Sequence, residues 1–260
     1  MKNIENKFKI NYLTYALIFL SCCTGFFKNI IIIMSIVLFH ELGHVLMIKR
    51  YEYEIEKVEI YPFGGITKVN KPINTPLKQE LLIACAGILF QTILMGIVSL
   101  MHKEGLILSN TYYLFQKYNQ TILVFNLLPL IPLDGSIIMH SFLEYLFPYH
   151  KAYNIHLILS LVFFLLFMTI HSLKSLNNYM IITFLIYKLY DRYKKRKMYQ
   201  NKFYLERYLY EIPYVKIESH NYPDLKKLKK DTLHFFWQKD RYLHEKEFLK
   251  EHYKIVEKNK

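Results

Sequence analysis

The chain has 260 residues, of which 53% are hydrophobic and 21% charged, and its formal net charge is +13. Three cysteines are too few for a small disulfide-framed domain, which is dense in cysteine. The positive charge does not indicate nucleic-acid binding: no nucleic-acid-binding motif is present, and 19 of the 34 lysines and arginines follow residue 190, directly after the last apolar run.

Six apolar segments before residue 191 predict a polytopic membrane protein. A membrane-spanning helix needs about 20 apolar residues, and the fourth and sixth segments are short by that measure. No small-residue cleavage site ends the first segment, so we expect it to stay as the first span. The segments are Ile10–Phe27, Ile30–Ile48, Glu80–Met101, Tyr118–Leu133, Tyr153–His171 and Leu176–Tyr190.

The connections between these segments differ in basic charge, which predicts the orientation. Cytoplasmic connections of membrane proteins carry the excess of lysine and arginine. We therefore expect a multi-pass membrane protein with both termini in the cytoplasm. The inside connections then hold Lys49, Arg50, Lys57, Lys68, Lys71, Lys78 and Lys151, and the outside ones Lys28, Lys103, Lys117 and Lys174.

The second segment contains the motif His40-Glu41-Leu42-Gly43-His44. On a helix this spacing places His40 and His44 one turn apart on one face, within reach of a single Zn²⁺, with Glu41 beside them as a base. Ionisable residues at membrane depth cost free energy and usually mark a functional site. Gly43 leaves room for another backbone or for the metal. The alternatives are core histidines or an inactive descendant of an enzyme.

The loop after the second segment is predicted to form a small β-hairpin at the membrane surface. Tyr53–Ile60 alternates polar and apolar residues, as in a strand, and Pro62-Phe63-Gly64-Gly65 is typical of a turn. Ile66–Val69 would be the returning strand, and the edge of Tyr53–Ile60 could pair with an extended substrate. A disordered loop is the alternative.

A third zinc ligand is expected because catalytic zinc takes three protein ligands. Asp134 is the only aspartate before Asp191, and it follows Pro129 and Pro132, which must interrupt helix at the end of the fourth segment. A helix-capping role is the alternative for Asp134. The rival ligands lie nearer segment ends or loops; they are Glu144, His102, His140 and His150.

Asn126 precedes Asp134 by two helical turns, which would place both on a similar face of one helix. Its amide could donate to a substrate backbone or to a developing oxyanion. A hydrogen bond to a neighbouring helix is the other interpretation, and the sequence leaves both open.

The tail after Tyr190 begins with a basic collar at Asp191–Lys197, which suits the anionic headgroups of the cytoplasmic leaflet. Phe203–Leu209 and Leu225–Tyr253 have helical patterns. We therefore divide the chain into a six-span core at 1–190 and a short cytosolic C-terminal domain or partner-docking segment at 191–260. The expected fold class is all-α, with six transmembrane helices and the small hairpin.

The sequence Phe-His-Glu-Leu-Gly-His in the second segment, together with Asn126-Leu-Leu-Pro-Leu-Ile-Pro-Leu-Asp134, resembles the site-2 protease family of intramembrane zinc metalloproteases. The resemblance implies His40, His44 and Asp134 as zinc ligands and Glu41 as general base. It also implies that Asn126 and Pro132 position substrate and that Gly64 and Gly65 form a loop beside it.

Within that family the chain is most similar to the sporulation proteases that process the precursor of sigma-K. That similarity implies a membrane-associated protein substrate, inhibitory membrane partner proteins and a possible oligomer. It also implies a bacterial cell membrane, namely the mother-cell membrane around the forespore. Members of the family often have Gly-Pro in the third span, where this chain has Ala86-Gly87-Ile88. The sporulation relatives end in a nucleotide-sensing CBS domain; this tail is short for a complete one, so the resemblance implies a reduced CBS-like segment as the alternative to a partner-docking segment.

Three other functions are weighed against this one. A metal transporter would also place His and Asp in its spans, but transporters tend to show internal repeats, and none appears. A non-enzymatic scaffold derived from a protease would lack a ligand or the base, and none is missing. The third is a protease that releases another membrane-tethered regulator, such as an anti-sigma factor.

Overall fold

The computed structural model describes residues 8–10, 12–61, 64–170, 176–238 and 240–258. The described part is mostly helical, with two small sheets. In chain order the elements are β1 Phe8–Ile10, α1 Tyr12–Thr24, α2 Phe27–Arg50, β2 Glu54–Tyr61, β3 Gly64–Asn70, α3 Leu77–Lys103, α4 Ser109–Leu127, α5 Asp134–Leu146, α6 Tyr149–Ile170, α7 Leu176–Lys194, α8 Arg196–Leu209, β4 Lys216–His220, a 3₁₀ turn Leu225–Lys227, β5 Thr232–Gln238, β6 Arg241–His244 and α9 Glu245–Lys258.

Three of the described helices are long and apolar enough to cross a membrane. They lie in α2, α3 and α6 and correspond to the second, third and fifth apolar segments of the sequence. The first, fourth and sixth segments correspond to α1, α4 and α7. The count of six spans therefore stays a prediction.

Contacts divide the chain into two compact units. The first consists of residues 1–71, 81–128 and 133–135, and the second of residues 72–80, 129–132 and 136–260. The first unit contains α1, α2, most of α3, α4 and the first sheet. The second contains α6, α7 and the whole tail.

In the first unit a three-stranded sheet packs against α2. The strand order is β1-β2-β3, with β1 parallel and β3 antiparallel to β2. The prediction of a strand at Tyr53–Ile60 agrees with β2. However, β1 pairs with Val58–Ile60, so β2 is the central strand, and the expected substrate edge on β2 is wrong over those residues. Pro62 and Phe63 of the predicted turn lie outside the described residues.

In the second unit the tail packs around the N-terminal end of α6. An aromatic core joins Tyr149 and Tyr153 of α6 to Phe203 of α8, with the rings of Tyr149 and Phe203 stacked at 4.0 Å between centroids. Arg207 is fully buried and pairs with Glu245. A buried charge must be paired to be tolerated, so this pair fixes α8 against α9.

The tail contains strands where the sequence predicted helix. Phe203–Leu209 is helical as expected, within α8, but the helical prediction for Leu225–Tyr253 is wrong over β5 and β6. Strand β4 runs parallel to β5, and β6 runs antiparallel to it. In β5 buried residues alternate with more exposed ones, and its run of aromatic residues suits a pleated surface. The all-α prediction therefore holds only as a mostly helical fold.

Candidate metal centre

Helix α2 presents His40 and His44 to the interior of the first unit. Both are almost fully buried, with exposed fractions of 4% and 8%, and their Nε2 atoms lie 3.0 Å apart. The helix is apolar around them, so the imidazole nitrogens need partners from other elements of the chain or from a bound metal. The sequence spacing therefore produces the predicted pair of imidazoles on one helical face.

Each imidazole has an acceptor on its other nitrogen. Nδ1 of His40 lies 3.2 Å from Oε1 of Gln91, and Nδ1 of His44 lies 2.8 Å from the carbonyl oxygen of Ile83. Because both partners are oxygens that only accept, each Nδ1 must carry the proton and donate it. This leaves the Nε2 lone pairs free and facing each other, which is the tautomer that metal-binding histidines adopt.

Asp134 completes the group from the first residue of α5. Its Oδ2 lies 2.9 Å from Nε2 of His40 and 3.3 Å from Nε2 of His44. Ligand atoms around a tetrahedral zinc are separated by about 3.3 Å, as follows from zinc–ligand bonds of about 2.0–2.1 Å. The three mutual distances therefore fit one zinc ion.

The chemistry of these three candidate ligand atoms also favours a bound cation. Two imidazole lone pairs and a carboxylate oxygen converge in a buried place, and Oδ2 of Asp134 has no hydrogen-bond donor among the described residues. Such an arrangement repels itself unless a positive charge lies between the atoms. The alternative of a helix cap is less consistent with this unpartnered oxygen, because a capping oxygen accepts from a backbone N–H.

An interruption between two helices places Asp134 beside the two histidines. Helix α4 ends at Leu127 and α5 begins at Asp134, so the prolines interrupt the helix as expected. The expectation that Asn126 and Asp134 share a face of one helix is therefore wrong. Asn126 nevertheless lies near the same group, with Nδ2 3.5 Å from Nε2 of His40. Pro132 lies in the non-helical connection, and its role stays a prediction.

Glu41 lies beside the two histidines. It is 6% exposed, and its carboxylate and the two rings offer ligand atoms within 4.8 Å of one another. Its Oε2 accepts a hydrogen bond from Oγ1 of Thr67 at 2.7 Å. A side chain at Gly65, on β3, would overlap the Glu41 carboxylate. Gly64 and Gly65 are the first residues of β3, paired with Tyr61 and Ile60, so the predicted loop at these two glycines is wrong: they belong to the paired strand.

Three further residues of the centre were not predicted from the sequence: Gln91, Gly87 and Thr67. Gln91 is fully buried, accepts from His40 and donates through Nε2 to the carbonyl oxygen of Asn119 at 2.8 Å. Ile83, Gly87 and Gln91 recur every four residues on α3, so they share a face of that helix. The sequence signal that could have identified them is that Gln91 and Gly87 lie on one face of an otherwise apolar helix.

Glycines allow α2 and α3 to meet at the centre. A side chain at Gly43 would collide with the backbone of Ala86, which agrees with the predicted close approach of another backbone. One at Gly87 would collide with the imidazoles of His44 and His40. The two glycines therefore let the backbone of α3 approach α2 at Gly43 and the imidazole rings at Gly87.

We expect Gly87→Ala to lower zinc occupancy strongly, because its methyl group would lie where the two imidazoles are. Gly96→Ala is the matched control: it lies on the same helix, and an added Cβ there meets no atom within 4 Å. Both changes gain about 1 kcal/mol of helix propensity, so only the collision distinguishes them. Zinc content of the purified proteins is the measurement, and normal occupancy in Gly87→Ala would contradict the packing described.

A second cluster of possible ligands lies in the tail, formed by Glu218, His220 and His234. Nε2 of His234 accepts from the backbone N–H of Lys229 at 2.9 Å, so its Nδ1 carries the proton and donates to Nε2 of His220. Burial, with Arg207 and His220 nearby, lowers the pKa of His234 to about 3, so the ring stays neutral. Its own proton occupies the position that a metal would need.

The rival ligands from the sequence have other partners. Glu144 forms a buried ion pair with Lys230 at 3.2 Å, and Nε2 of His140 lies 3.5 Å from Glu144. His102 contacts the carbonyl oxygen of Ile107 at 3.0 Å, and His150 lies 3.5 Å from Asn154.

Comparison with known proteins agrees with this geometry. Residues 28–103 match the family described as peptidase family M50. Stage IV sporulation protein FB from Bacillus subtilis is 33% identical over 192 residues, which is 73% of this chain and 67% of that protein. A zinc metalloprotease from Methanocaldococcus jannaschii is 34% identical over 161 residues, which is 59% of this chain and 44% of that protein.

A solved structure gives the same result. The site-2 protease from Methanocaldococcus jannaschii is similar with a TM-score of 0.53 and 26% identity, covering 75% of this chain and 93% of that one. The fold, the family match and the length of the alignments agree with one another. The chain therefore belongs to peptidase family M50, the site-2 proteases, and is a zinc-dependent metalloprotease of the membrane.

Proposed function

We propose that this protease hydrolyses a peptide bond of a membrane-associated regulatory precursor, and that the precursor is a sporulation pro-sigma factor, that of sigma-K. The observation that carries the catalytic part is the convergence of His40, His44 and Asp134 on one point beside Glu41. The similarity to a stage IV sporulation protein supports the substrate class.

In this proposal His40, His44 and Asp134 would hold a zinc ion through Nε2, Nε2 and Oδ2. When bound there, zinc would supply a Lewis acid for the scissile carbonyl and a lowered pKa for the attacking water. Gln91 and the carbonyl of Ile83 keep the two rings in the required tautomer and orientation.

Glu41 moves the protons. Its carboxylate accepts a proton from the attacking water and then gives that proton to the nitrogen of the leaving amine. The amide of Asn126 can donate to the oxygen of the scissile carbonyl as negative charge develops there, because its Nδ2 already lies beside His40. Pro132, Gly64 and Gly65 are proposed to position the substrate chain.

The substrate must be extended where it is cut, since the carbonyls of a helix are already hydrogen-bonded. Among the described strands, β3 has one neighbour, β2, and it lies next to α2, which carries Glu41. We therefore assign substrate pairing to the open edge of β3 and not to β2.

The proposal includes a membrane arrangement. The chain has six spans, both termini lie in the cytoplasm, and the protein lies in the mother-cell membrane around the forespore. The core is residues 1–190, and the tail at 191–260 is a cytosolic segment that docks a partner. The basic connections and the basic collar after α7 support this orientation.

Co-expression tests the function. The chain is produced with the sigma-K precursor, or with a membrane-tethered anti-sigma factor, and each is examined for a shortened product. We expect the chain and its Glu104→Gln control to shorten the sigma-K precursor and Glu41→Gln to leave it intact. Cleavage of the anti-sigma factor alone would overturn the substrate class. No cleavage of either by a zinc-loaded protein would favour a non-catalytic scaffold.

A further inference from the structure

Strand β3 lies directly against the carboxylate of Glu41. Gly65 and Thr67 are two residues apart, so their side-chain positions fall on the same face of the strand. That face points to Glu41, because a side chain at Gly65 would overlap its carboxylate and the Thr67 hydroxyl is bonded to it. Because Gly65 has no side chain, β3 can lie close to Glu41. Thr67, the next residue on that face, is then near enough to donate its hydrogen bond to the carboxylate.

The hydrogen bond from Thr67 has a definite direction. At 2.7 Å, Oγ1 donates to Oε2 of Glu41, since an ionised carboxylate can only accept. Hydrogen bonds to a charged group are short and strong, and Glu41 is buried, where few waters compete. Oε2 is thereby occupied, and the carboxylate plane is fixed.

A glutamate side chain has three rotatable bonds, so a buried but unattached carboxylate would sample several orientations. Threonine is β-branched and restricted about χ1, and here it is held in a paired strand, with Thr67 opposite Val58 of β2. The donor is therefore more rigid than the acceptor. Oε2 of Glu41 is therefore anchored to the strand.

We propose that Thr67 is a positioning residue for the general base, and that the Gly65–Thr67 face of β3 docks the sheet onto Glu41 so that the base is oriented only when the sheet is in place. The inference rests on the proposed role of Glu41. It gives the sheet a second function besides pairing with substrate, because the strand holds the base through a hydrogen bond.

Four variants of the full-length protein in lipid nanodiscs test this inference: Thr67→Val, Thr67→Ser, Glu41→Gln and the double variant Thr67→Val/Glu41→Gln. Valine keeps the shape of threonine without the hydroxyl, and serine keeps the hydroxyl. Thr92→Val is the matched control, because its hydroxyl is exposed and, in the described part of the chain, bonds within its own helix to the carbonyl of Ile88. The substrates are the amino-terminal segment of the sigma-K precursor and a labelled, unfolded casein.

We expect Thr67→Val to lower kcat by about tenfold or more, the loss that corresponds to one hydrogen bond to a charged group. KM and zinc content should stay near those of the wild type. Thr67→Ser should restore most of kcat, and Thr92→Val should change nothing. In the Glu41→Gln background, Thr67→Val should have no further effect on the residual rate, because its action passes through the missing carboxylate.

Each other result overturns the inference. A higher kcat in Thr67→Val would mean that the hydrogen bond restrains the base. A loss of zinc, or an equal loss in the Glu41→Gln background, would mean that Thr67 only supports the fold. Full activity of Glu41→Gln would instead refute the proposed role of Glu41, which is a separate failure from that of Thr67.

Discussion

Glu41→Gln is expected to retain zinc and to lose peptide hydrolysis by about 10²–10⁴-fold, the usual contribution of a general acid–base residue. Glutamine has nearly the same shape as glutamate, and it can still accept the hydrogen bond of Thr67 through its amide oxygen. It cannot take a proton from water. The fold and the metal group should therefore remain while the proton transfer is lost.

The measurement combines zinc content with single-turnover cleavage of the sigma-K precursor segment by the purified protein. Glu104→Gln is the control, because Glu104 is exposed near the end of α3 and carries the same chemical change. A Glu41→Gln protein that cleaves at the wild-type rate would end the assignment of the base. Loss of zinc in that variant would instead make Glu41 a ligand.

Asp134→Asn is expected to lower the affinity for zinc by more than 10- to 100-fold. That range is the usual loss when a residue that hydrogen-bonds to a metal ligand is removed, and here the ligand itself is changed. Asn removes the negative charge that faces the two imidazoles and leaves a neutral amide in its place. The two rings alone form an incomplete site, since catalytic zinc takes three protein ligands. Activity should disappear together with the metal.

Competition with a chelator measures that affinity without any need for cleavage. Asp191→Asn is the control: its carboxylate forms a surface pair with Lys195 at 2.8 Å, and such pairs contribute about 0–1 kcal/mol. We expect unchanged zinc affinity in the control. If Asp134→Asn bound zinc as tightly as the wild type, the third ligand would have to be another group.

Much of the candidate centre could be predicted because it depends on local sequence. The spacing of His40 and His44 determines one helical face, and Asp134 was the one aspartate available before the tail. Pro129 and Pro132 indicated the break between α4 and α5, since proline cannot continue a helix interior. The strand β2 was visible in its alternation. These signals need no knowledge of which helices touch.

The rest depends on tertiary contacts that no local pattern specifies. Gln91 and Gly87 are part of the centre only because α3 crosses α2 there. Thr67 acquires its role from the docking of β3, and β1 pairs with β2 across α1 and α2, which separate them in sequence.

In the tail, the local pattern predicted the wrong secondary structure. Charges mixed with apolar residues in Leu225–Tyr253 suggested a helix, but pairing with β4 and β6 makes β5 a strand, and its buried residues alternate because one face is covered. Propensity is a weak guide where tertiary pairing decides the state of a segment. The helical pattern holds only from Glu245 onward, in α9.

X-ray absorption at the zinc edge tests the central claim most directly, namely that two imidazoles of α2 and one carboxylate of α5 bind the same ion. We expect two imidazole nitrogens and oxygen ligands at about 2.0–2.1 Å, with no sulfur at about 2.3 Å, and an altered spectrum in Asp134→Asn. A sulfur contribution, for which Cys85 on α3 is an available thiol, or a spectrum with fewer than two imidazoles would contradict it.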